Sequence, residues 1–364
     1  MASAGSLSLL TVSHLYKRFN LEAGFFARFG RFVNAVNDVS FSIGKNESYG
    51  LVGESGCGKT TTARMLVRMY EADAGEILFY HGEKPVSVTS LKKDALCEYR
   101  EKVRYVFQDP ARSLNPRMSV YEVLVSGCRK PLKRRGIGEK ELRLKAAAIL
   151  EEVGLQEADL EKRPSEFSGG QRQRISIARA LLMEPEVLIC DEVVSALDVS
   201  IQGQILNLLL DIRKKRNISF LFIAHDLKVA CYFCDKIGVM YKGELMEESP
   251  AANLYKEARH PYTQLLFSSA AGVEKEDDLA KEIHAESAEG RKERREEFLG
   301  EEISQGRREA ELAEKEKELR KEEVSETGCS FAARCPAATE RCLREHPELR
   351  DVSPGYSIRC FNYH

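Results

Sequence analysis

The sequence predicts an α/β fold, in which helices cover a largely parallel β-sheet, for the segment that ends near residue 271. Apolar β-type runs alternate there with helical patterns and glycine-rich turns, which is the order expected of parallel strands joined by helices. From about residue 112 to residue 180 the pattern turns helical and polar, and a strand follows at Val187–Asp191. We therefore predict a core at 1–271 that carries an inserted helical subdomain at about 112–180.

Two segments of different composition follow this core. Residues 272–326 are rich in Glu, Lys, Arg and Ala and contain few large apolar residues, so they cannot form a core of their own. We predict a charged linker there, either helical or disordered. Residues 327–364 contain four cysteines and are predicted to form a small cysteine-rich module.

Composition limits the partners and the location of the chain. Its 55 basic and 57 acidic residues give a net charge of −2, so no overall field attracts it to nucleic acid, and no nucleic-acid partner is expected. Every apolar run is shorter than the roughly 20 residues that a spanning helix requires. The first residues lack the features of a secretory signal, and we expect a cytosolic chain with reduced or metal-bound cysteines.

A glycine-rich sequence follows an apolar strand that ends at Val52 and precedes a helix that begins near Thr60. It fits the pattern G-x-x-x-x-G-K-[ST] of a phosphate-binding P-loop, and this context argues against a glycine turn that only resembles one. Its glycines let backbone N–H groups point at phosphates, Lys59 is expected to reach the β- and γ-phosphates, and Thr60 is expected to hold Mg²⁺. The predicted ATP-binding residues of this loop are Gly53, Glu54, Ser55, Gly56, Cys57, Gly58, Lys59, Thr60 and Thr61.

Two acidic residues lie at the end of a predicted strand. Asp191 is the last residue of the strand Val187–Asp191, and Glu192 follows it directly. Asp191 is expected to orient Mg²⁺ or its waters, and Glu192 is placed to polarise the attacking water. Paired acids at a strand end are also common as solvated termini. Because a P-loop occurs in the same chain, we favour the catalytic interpretation and predict a P-loop nucleoside triphosphatase with a RecA-like core.

The sequence Phe167-Ser-Gly-Gly-Gln171, followed by Arg172–Ala180, resembles the signature sequence of ABC ATPases. A helix that starts at these residues could bind an anion, yet the chain's own phosphate site is the P-loop. In the family, the signature closes over ATP bound to a partner subunit, so the resemblance implies two ATP molecules between two such domains. The alternative is an ordinary helix cap with a glycine turn. The residues that the resemblance assigns to the partner's ATP are Ser168, Gly169, Gly170 and Gln171.

Three further polar residues match positions of this family. Gln108 resembles the glutamine that senses Mg²⁺ and the γ-phosphate, and Asp198 matches the loop that, in the family, communicates across the dimer. His225 directly follows the strand Ser219–Ala224, where the family has a histidine that contacts the γ-phosphate. A lone histidine at a strand end is otherwise more often structural. The resemblance implies Lys59, Glu192 and His225 as catalytic residues, and Thr60, Gln108 and Asp191 around Mg²⁺.

Two other positions match the family less closely. Phe19 occupies the position of the aromatic residue that stacks on adenine, although Tyr16 is an alternative and either could belong to the core. Val193 follows Glu192 where the family usually has proline. Because Glu192 itself is present, we expect hydrolysis to survive this departure.

Three runs resemble the ATPase subunits of oligopeptide and dipeptide permeases, namely Gln108–Arg117, Cys190–Ser200 and His260-Pro-Tyr-Thr263. The resemblance implies an ATPase that energises an importer on the cytoplasmic face of the inner membrane. Its implied partners are a second ATPase, preferably in a heterodimer, two membrane-spanning permease subunits and an external solute-binding protein. Nickel, glutathione or another small solute are alternative cargoes. A soluble ABC ATPase that acts on ribosomes or DNA is the alternative class, but the two ATPase halves or long coiled-coil insert of such proteins are absent.

The C-terminal cysteines resemble the cysteine-rich tail of this branch. Arg334-Cys335-Pro336 carries the likeness, and the tail of the family can hold a [4Fe–4S] cluster. A tetrahedral Zn²⁺ site or unligated thiols are the alternatives. The candidate ligands are Cys329, Cys335, Cys342 and Cys360.

Overall fold

The structure, a computed structural model, describes residues 8–20, 32–81, 84–270 and 327–363. The linker predicted at 272–326 lies outside the described residues. Within the described ranges, no helix is both long and apolar enough to cross a membrane.

An eight-stranded sheet forms the centre of the molecule. Its strand order is β11-β12-β10-β9-β3-β8-β7-β6, and the five strands from β9 to β6 run parallel. The inner strands are buried on both faces, as continuous apolar runs predict for a covered parallel sheet. The strands of this sheet are β3 (Ser48–Val52), β6 (Val103–Val106), β7 (Val187–Asp191), β8 (Ser219–Ala224), β9 (Lys236–Tyr241), β10 (Glu244–Pro250), β11 (Arg350–Ser353) and β12 (Tyr356–Ile358).

Successive side chains of the central strands pack into two different hydrophobic clusters. Leu188 and Phe220 belong to the cluster that includes the helical subdomain, whereas Ile189 and Leu221 belong to the cluster beneath the first strands of the chain. This alternation follows from the two-residue period of a strand. The sheet therefore separates two apolar layers, and its strand ends remain available for polar loops.

A second sheet has four antiparallel strands in the order β2-β1-β4-β5. The sequence predicted a largely parallel α/β core and did not resolve this separate sheet. Its strands pair across distant parts of the chain, and short alternating runs do not specify such partners. The four strands are β1 (Ser8–Asn20), β2 (Phe32–Gly44), β4 (Ala74–Tyr80) and β5 (Pro85–Ser87).

Five helices lie between β6 and β7, in the region where the sequence predicts an inserted helical subdomain at about 112–180. Asp109 caps the first of them with its side chain, and Ser119 and Glu122 form a reciprocal capping box at the second. Two short 3₁₀ turns lie at Glu157–Glu161 and Pro164–Glu166. The helices are α3 (Pro110–Ser113), α4 (Val120–Val125), α5 (Arg129–Arg134), α6 (Glu139–Glu152) and α7 (Gly169–Leu181).

The cysteine-containing segment 327–363 extends the main sheet. β12 pairs antiparallel with β10, where Glu247 lies opposite Ile358, and β11 pairs with β12. Phe331, in the same segment, is 1% exposed and packs in the larger hydrophobic cluster. The remaining helices are α1 (Lys59–Leu66), α2 (Lys93–Lys102), α8 (Val199–Arg216), α9 (Leu227–Phe233), α10 (Ala251–Lys256), α11 (Pro261–Ala270) and α12 (Glu340–Arg344), with 3₁₀ turns at Val88–Ser90 and Ala332–Arg334.

Candidate nucleotide-binding site

The polar residues predicted from the sequence lie at one edge of the parallel sheet. Val52 is paired with Ala224, and Ile223 with Asp191, so β3, β8 and β7 end side by side. The parallel strand β6 follows next in the sheet. The loops that leave these four strands carry the P-loop, His225, Glu192 and Gln108, as expected where parallel strands end at a common edge.

The P-loop curves tightly between β3 and α1. Gly58 has a φ of 109° and stands at the N-terminus of α1, and a Cβ atom there would lie 2.2 Å from the carbonyl oxygen of Ala35. Only glycine fits this position without displacing backbone. Lys59 is 3% exposed, and its ammonium group donates to the carbonyl oxygens of Gly53 at 2.6 Å and Glu54 at 3.0 Å. The lysine is therefore held within the loop that would receive the phosphates.

A hydroxyl and a carboxylate meet beside the P-loop. The Thr60 hydroxyl donates to one oxygen of Asp191 at 2.9 Å, and the Tyr105 hydroxyl donates to the other at 2.6 Å. Burial and the neighbouring carboxylate raise the pKa of Tyr105, so its hydroxyl stays protonated. Oxygen donors of this kind suit Mg²⁺, which commonly binds proteins through one or two such groups and completes its shell with water and substrate phosphates.

Glu192 is the acidic residue that follows Asp191. Its backbone has a φ of 48°, a left-handed conformation that is uncommon for residues other than glycine. Its backbone N–H donates to the carbonyl of Ile223 at 3.1 Å, and its carboxylate accepts from the Gln108 side chain at 2.6 Å. The next residue, Val193, is 2% exposed and packs in the apolar cluster of the helical subdomain. The structure thus brings Glu192 and Gln108 together, as expected for residues that share one reacting centre.

The signature residues form a separate exposed surface at the start of α7. Ser168 accepts from the Gln171 N–H at 3.3 Å, and the Gln171 side chain accepts from the Ser168 N–H at 3.0 Å. A Cβ atom on Gly170 would lie 2.7 Å from Ile201, near the start of α8, which Asp198 precedes. Among the hydrogen bonds of the described residues, none joins Ser168 or Gln171 to the P-loop.

Two remaining candidates lie near the ends of strands. His225 is exposed directly after β8. Phe19 is half-buried at the end of β1, where its ring meets Tyr70 edge-on with centroids 5.3 Å apart. The alternative aromatic residue, Tyr16, has a raised pKa because of burial and a hydrogen bond with Asp38. Of the two, Phe19 has no polar group to satisfy and offers the simpler stacking surface.

The four C-terminal cysteines all lie within the described residues as free thiols. Burial raises the pKa of Cys329 to about 11, and the other three cysteines contribute to this rise, so the four thiols lie in one neighbourhood. Thiols are the donors that iron–sulfur clusters and zinc require. Even so, no group of three or more His, Cys, Asp or Glu side chains has metal-binding geometry in the described parts of the chain. The cluster predicted from the sequence therefore gains no support from the structure and stays a prediction.

Three residues near the P-loop were not predicted as site residues from the sequence. Tyr105 bonds Asp191, as described above. The Tyr262 hydroxyl accepts from the Glu54 N–H at 3.0 Å, and Arg334 donates to the Glu54 carboxylate at 2.7 and 2.8 Å. Tyr262 lies in the run His260–Thr263 that sequence comparison singled out, but its contact with the P-loop depends on chain folding over about 200 residues.

The fold and the site together define a P-loop nucleotide-binding domain. Comparison with protein families agrees, because residues 36–195 match the ABC transporter family and residues 246–296 and 301–342 match the oligopeptide/dipeptide transporter C-terminal region. The chain is 47% identical over 261 residues to the oligopeptide transport ATP-binding protein OppF of Bacillus subtilis, an alignment that covers 72% of this chain and 82% of OppF. It is also 36% identical to AppF of the same organism across 100% of both chains. The chain therefore belongs to the ATP-binding proteins of oligopeptide/dipeptide ABC transporters.

Solved structures show the same architecture. The protein cbiO1 of Clostridium perfringens, part of the ABC transporter complex cbiONQ, matches with a TM-score of 0.58 and 25% identity over 75% of this chain and 99% of its own. The ATP-binding cassette MJ0796, solved as a dimer bound to ADP and Pi, matches with a TM-score of 0.57 and 26% identity over 66% of this chain and 98% of its own. These likenesses confirm the predicted ABC ATPase fold.

Proposed function

We propose that this chain hydrolyses ATP to energise a membrane importer of oligopeptides or dipeptides. The observation that carries the proposal is the meeting of two residue pairs at one sheet edge, Thr60 with Asp191 and Gln108 with Glu192. This arrangement supports the proposal, because ATP hydrolysis requires oxygen groups for Mg²⁺ and a carboxylate for the attacking water. We infer the peptide cargo from the similarity of this chain to OppF and AppF, both of which are named oligopeptide transport ATP-binding proteins.

In the proposed hydrolysis, Lys59 leaves its loop carbonyls and binds the β- and γ-phosphates of ATP, while Thr60, Asp191 and Gln108 would hold Mg²⁺. Mg²⁺ bound there would neutralise charge that develops on the phosphates. Glu192 accepts a proton as water attacks the γ-phosphorus and the bond to ADP breaks. His225 contacts the γ-phosphate. For Glu192 to reach that water, its bond with Gln108 must loosen when ATP and Mg²⁺ enter.

The exposed signature supports a dimer cycle. Ser168, Gly169, Gly170 and Gln171 would close over ATP held by a second ATPase, and Asp198 would lie at the same interface. Binding of two ATP molecules joins the two subunits, and hydrolysis releases them. This motion drives transport only if the closed and open dimers favour different conformations of the membrane subunits.

We propose that the second ATPase is related but distinct, so that the pair is a heterodimer. Two membrane-spanning permease subunits and an external solute-binding protein complete the complex, with this chain on the cytoplasmic face of the inner membrane. Nickel, glutathione or another small solute is the alternative cargo. The charged segment 272–326 would act as a spacer to the cysteine-rich end of the chain.

The C-terminal thiols provide a separate prediction. We expect protein purified without oxygen to contain iron and acid-labile sulfide in equal amounts, because the C-terminal cysteines resemble a tail that can hold a [4Fe–4S] cluster. Elemental analysis and sulfide determination test this. If the protein contained one equivalent of zinc and no iron, the site would be a structural zinc site. If it contained neither metal, the four cysteines would be ordinary thiols.

Affinity purification of the tagged chain from gently solubilised native membranes tests the proposed function. Two membrane-spanning proteins and a second ATPase should accompany it, and mass spectrometry would identify them. The associated binding protein can then be tested for peptides and metal ions, which separates the cargoes. Recovery of ribosomal or DNA-repair components without any membrane protein would overturn the transport assignment but leave the ATPase assignment standing.

A further inference from the structure

The P-loop residue Glu54 forms a paired ionic contact with the C-terminal segment of the chain. Both Nη nitrogens of the Arg334 guanidinium donate to its carboxylate, Nη1 to Oε2 at 2.8 Å and Nη2 to Oε1 at 2.7 Å. This paired geometry fixes direction as well as distance. Glu54 and Arg334 are 280 residues apart, so the contact joins the first phosphate-binding element to the cysteine-containing end.

Glu54 is also held at both sides of its backbone. Its N–H donates to the Tyr262 hydroxyl at 3.0 Å, and its carbonyl oxygen accepts from Lys59 at 3.0 Å. Burial raises the pKa of Tyr262, which keeps the hydroxyl protonated. One residue thus connects Arg334 and Tyr262 to the lysine that the proposed function assigns to the phosphates.

An aromatic cluster fixes the two outer groups of this connection. Tyr262 packs on Tyr241 and Phe331 with ring centroids 4.7 and 5.3 Å apart, respectively. The Arg334 guanidinium lies 5.5 Å from the Tyr241 ring and 5.7 Å from the Phe331 ring. These rings belong to β9, α11 and the C-terminal segment, and all three are part of the larger hydrophobic cluster. Arg334 therefore reaches Glu54 from a well-packed part of the molecule.

Further contacts anchor the C-terminal segment itself. The buried Glu244 carboxylate accepts from the Ser330 hydroxyl at 2.8 Å and lies 2.9 Å from the His346 ring. Arg359 is 4% exposed and donates to the carbonyl of Leu245 at 2.9 Å. Together with the pairing of β12 on β10, these contacts hold the segment on β10, which is joined to β3 through β9.

We propose that Arg334 and Tyr262 are positioning residues, which hold the P-loop through Glu54 in the conformation that binds nucleotide. The inference deepens the proposed function and rests on it, since it concerns the same ATP site. A loop that occupies the binding conformation only part of the time binds its ligand more weakly in proportion. Loss of the Arg334 contact should therefore weaken nucleotide binding without changing the groups that perform hydrolysis.

The test compares full-length variants of the chain by calorimetric titration with MgADP and by ATPase kinetics in the purified complex. For Arg334→Ala we expect the Kd for MgADP and the KM for ATP to rise about tenfold, with kcat changed less than about twofold. Arg334→Lys keeps the charge but loses the paired geometry, so it should fall between wild type and Arg334→Ala. Tyr262→Phe removes only the hydroxyl and should raise the same two constants.

A double-mutant cycle separates positioning from general stabilisation. Glu54→Gln should raise Kd by a similar factor, and Glu54→Gln combined with Arg334→Ala should be no worse than either single change. Arg341→Ala is the matched control, because Arg341 lies in the same segment but pairs with the exposed Glu345. It should leave Kd and KM unchanged.

Each outcome decides the question. Unchanged or lower Kd and KM for Arg334→Ala, in a protein whose thermal transition shows that it is folded, would overturn the positioning role. Additive losses in the double variant would do the same. If the wild-type chain itself failed to bind MgADP or hydrolyse ATP, the proposed function would fail first, and that result is distinguishable because it appears before any substitution is made.

Discussion

ATP turnover should fall at least about a hundredfold when Glu192 is replaced by Gln, because the substitution removes the group proposed to accept a proton from the attacking water. The amide has nearly the same shape, and its oxygen can still accept the hydrogen bond that Gln108 donates at 2.6 Å. The site should therefore keep its form and still bind nucleotide. We expect ATP to remain trapped between the two ATPase subunits, which single-turnover assays and retention of labelled nucleotide would measure.

Glu184→Gln provides the control for this substitution. Glu184 is exposed and forms a surface ion pair with Lys145 at 3.1 Å, so loss of its charge should leave turnover unchanged. Full ATPase activity in Glu192→Gln would show that another group polarises the water. Loss of nucleotide binding together with turnover would indicate instead that Glu192 shapes the site.

Local order in the sequence was sufficient for the central parts of the site. A glycine-rich turn between strand and helix predicted the P-loop, and two acids after a buried strand predicted Asp191 and Glu192. Since parallel strands end at a common edge, residues that follow different strands had to meet, which is how Thr60 comes to bond Asp191 across 131 positions of the chain.

Contacts that depend on side-chain direction or on distant pairing could not be predicted in the same way. In the sequence, Tyr105 cannot be distinguished from any other aromatic residue of a buried strand. The register of β6 on β7 brings its hydroxyl to Asp191. Arg334 directly precedes Cys335, and the sequence marks it only as part of Arg334-Cys335-Pro336, the run that resembles the cysteine-rich tail. Its contact with Glu54 depends on the packing of the C-terminal segment on the main sheet, which includes the pairing of β12 with β10. Because that pairing is non-local and has no short sequence pattern, the sequence does not predict the contact.

The second large effect is expected for Gly58→Ala. Gly58 has a φ of 109°, and an added Cβ atom would lie 2.2 Å from the backbone oxygen of Ala35, a distance that only movement of the main chain can relieve. Strain of this kind and displacement of the P-loop together should cost about 3 kcal/mol. We expect a lower thermal transition. Because a displaced P-loop must return against this strain to bind MgADP, binding should also weaken by up to about a hundredfold, since 1.4 kcal/mol corresponds to a factor of ten.

Gly56→Ala separates the two causes of this loss. Gly56 also has a positive φ, 80°, but an added Cβ atom would meet nothing within 4 Å. It should therefore show only the cost of a left-handed conformation for an L-residue, about 1 kcal/mol. If both variants lost the same stability and affinity, backbone conformation alone would explain the need for glycine. A clearly larger loss at Gly58 would assign the difference to the contact with Ala35, which means that β2 supports the P-loop from behind and fixes how closely α1 can approach the phosphates.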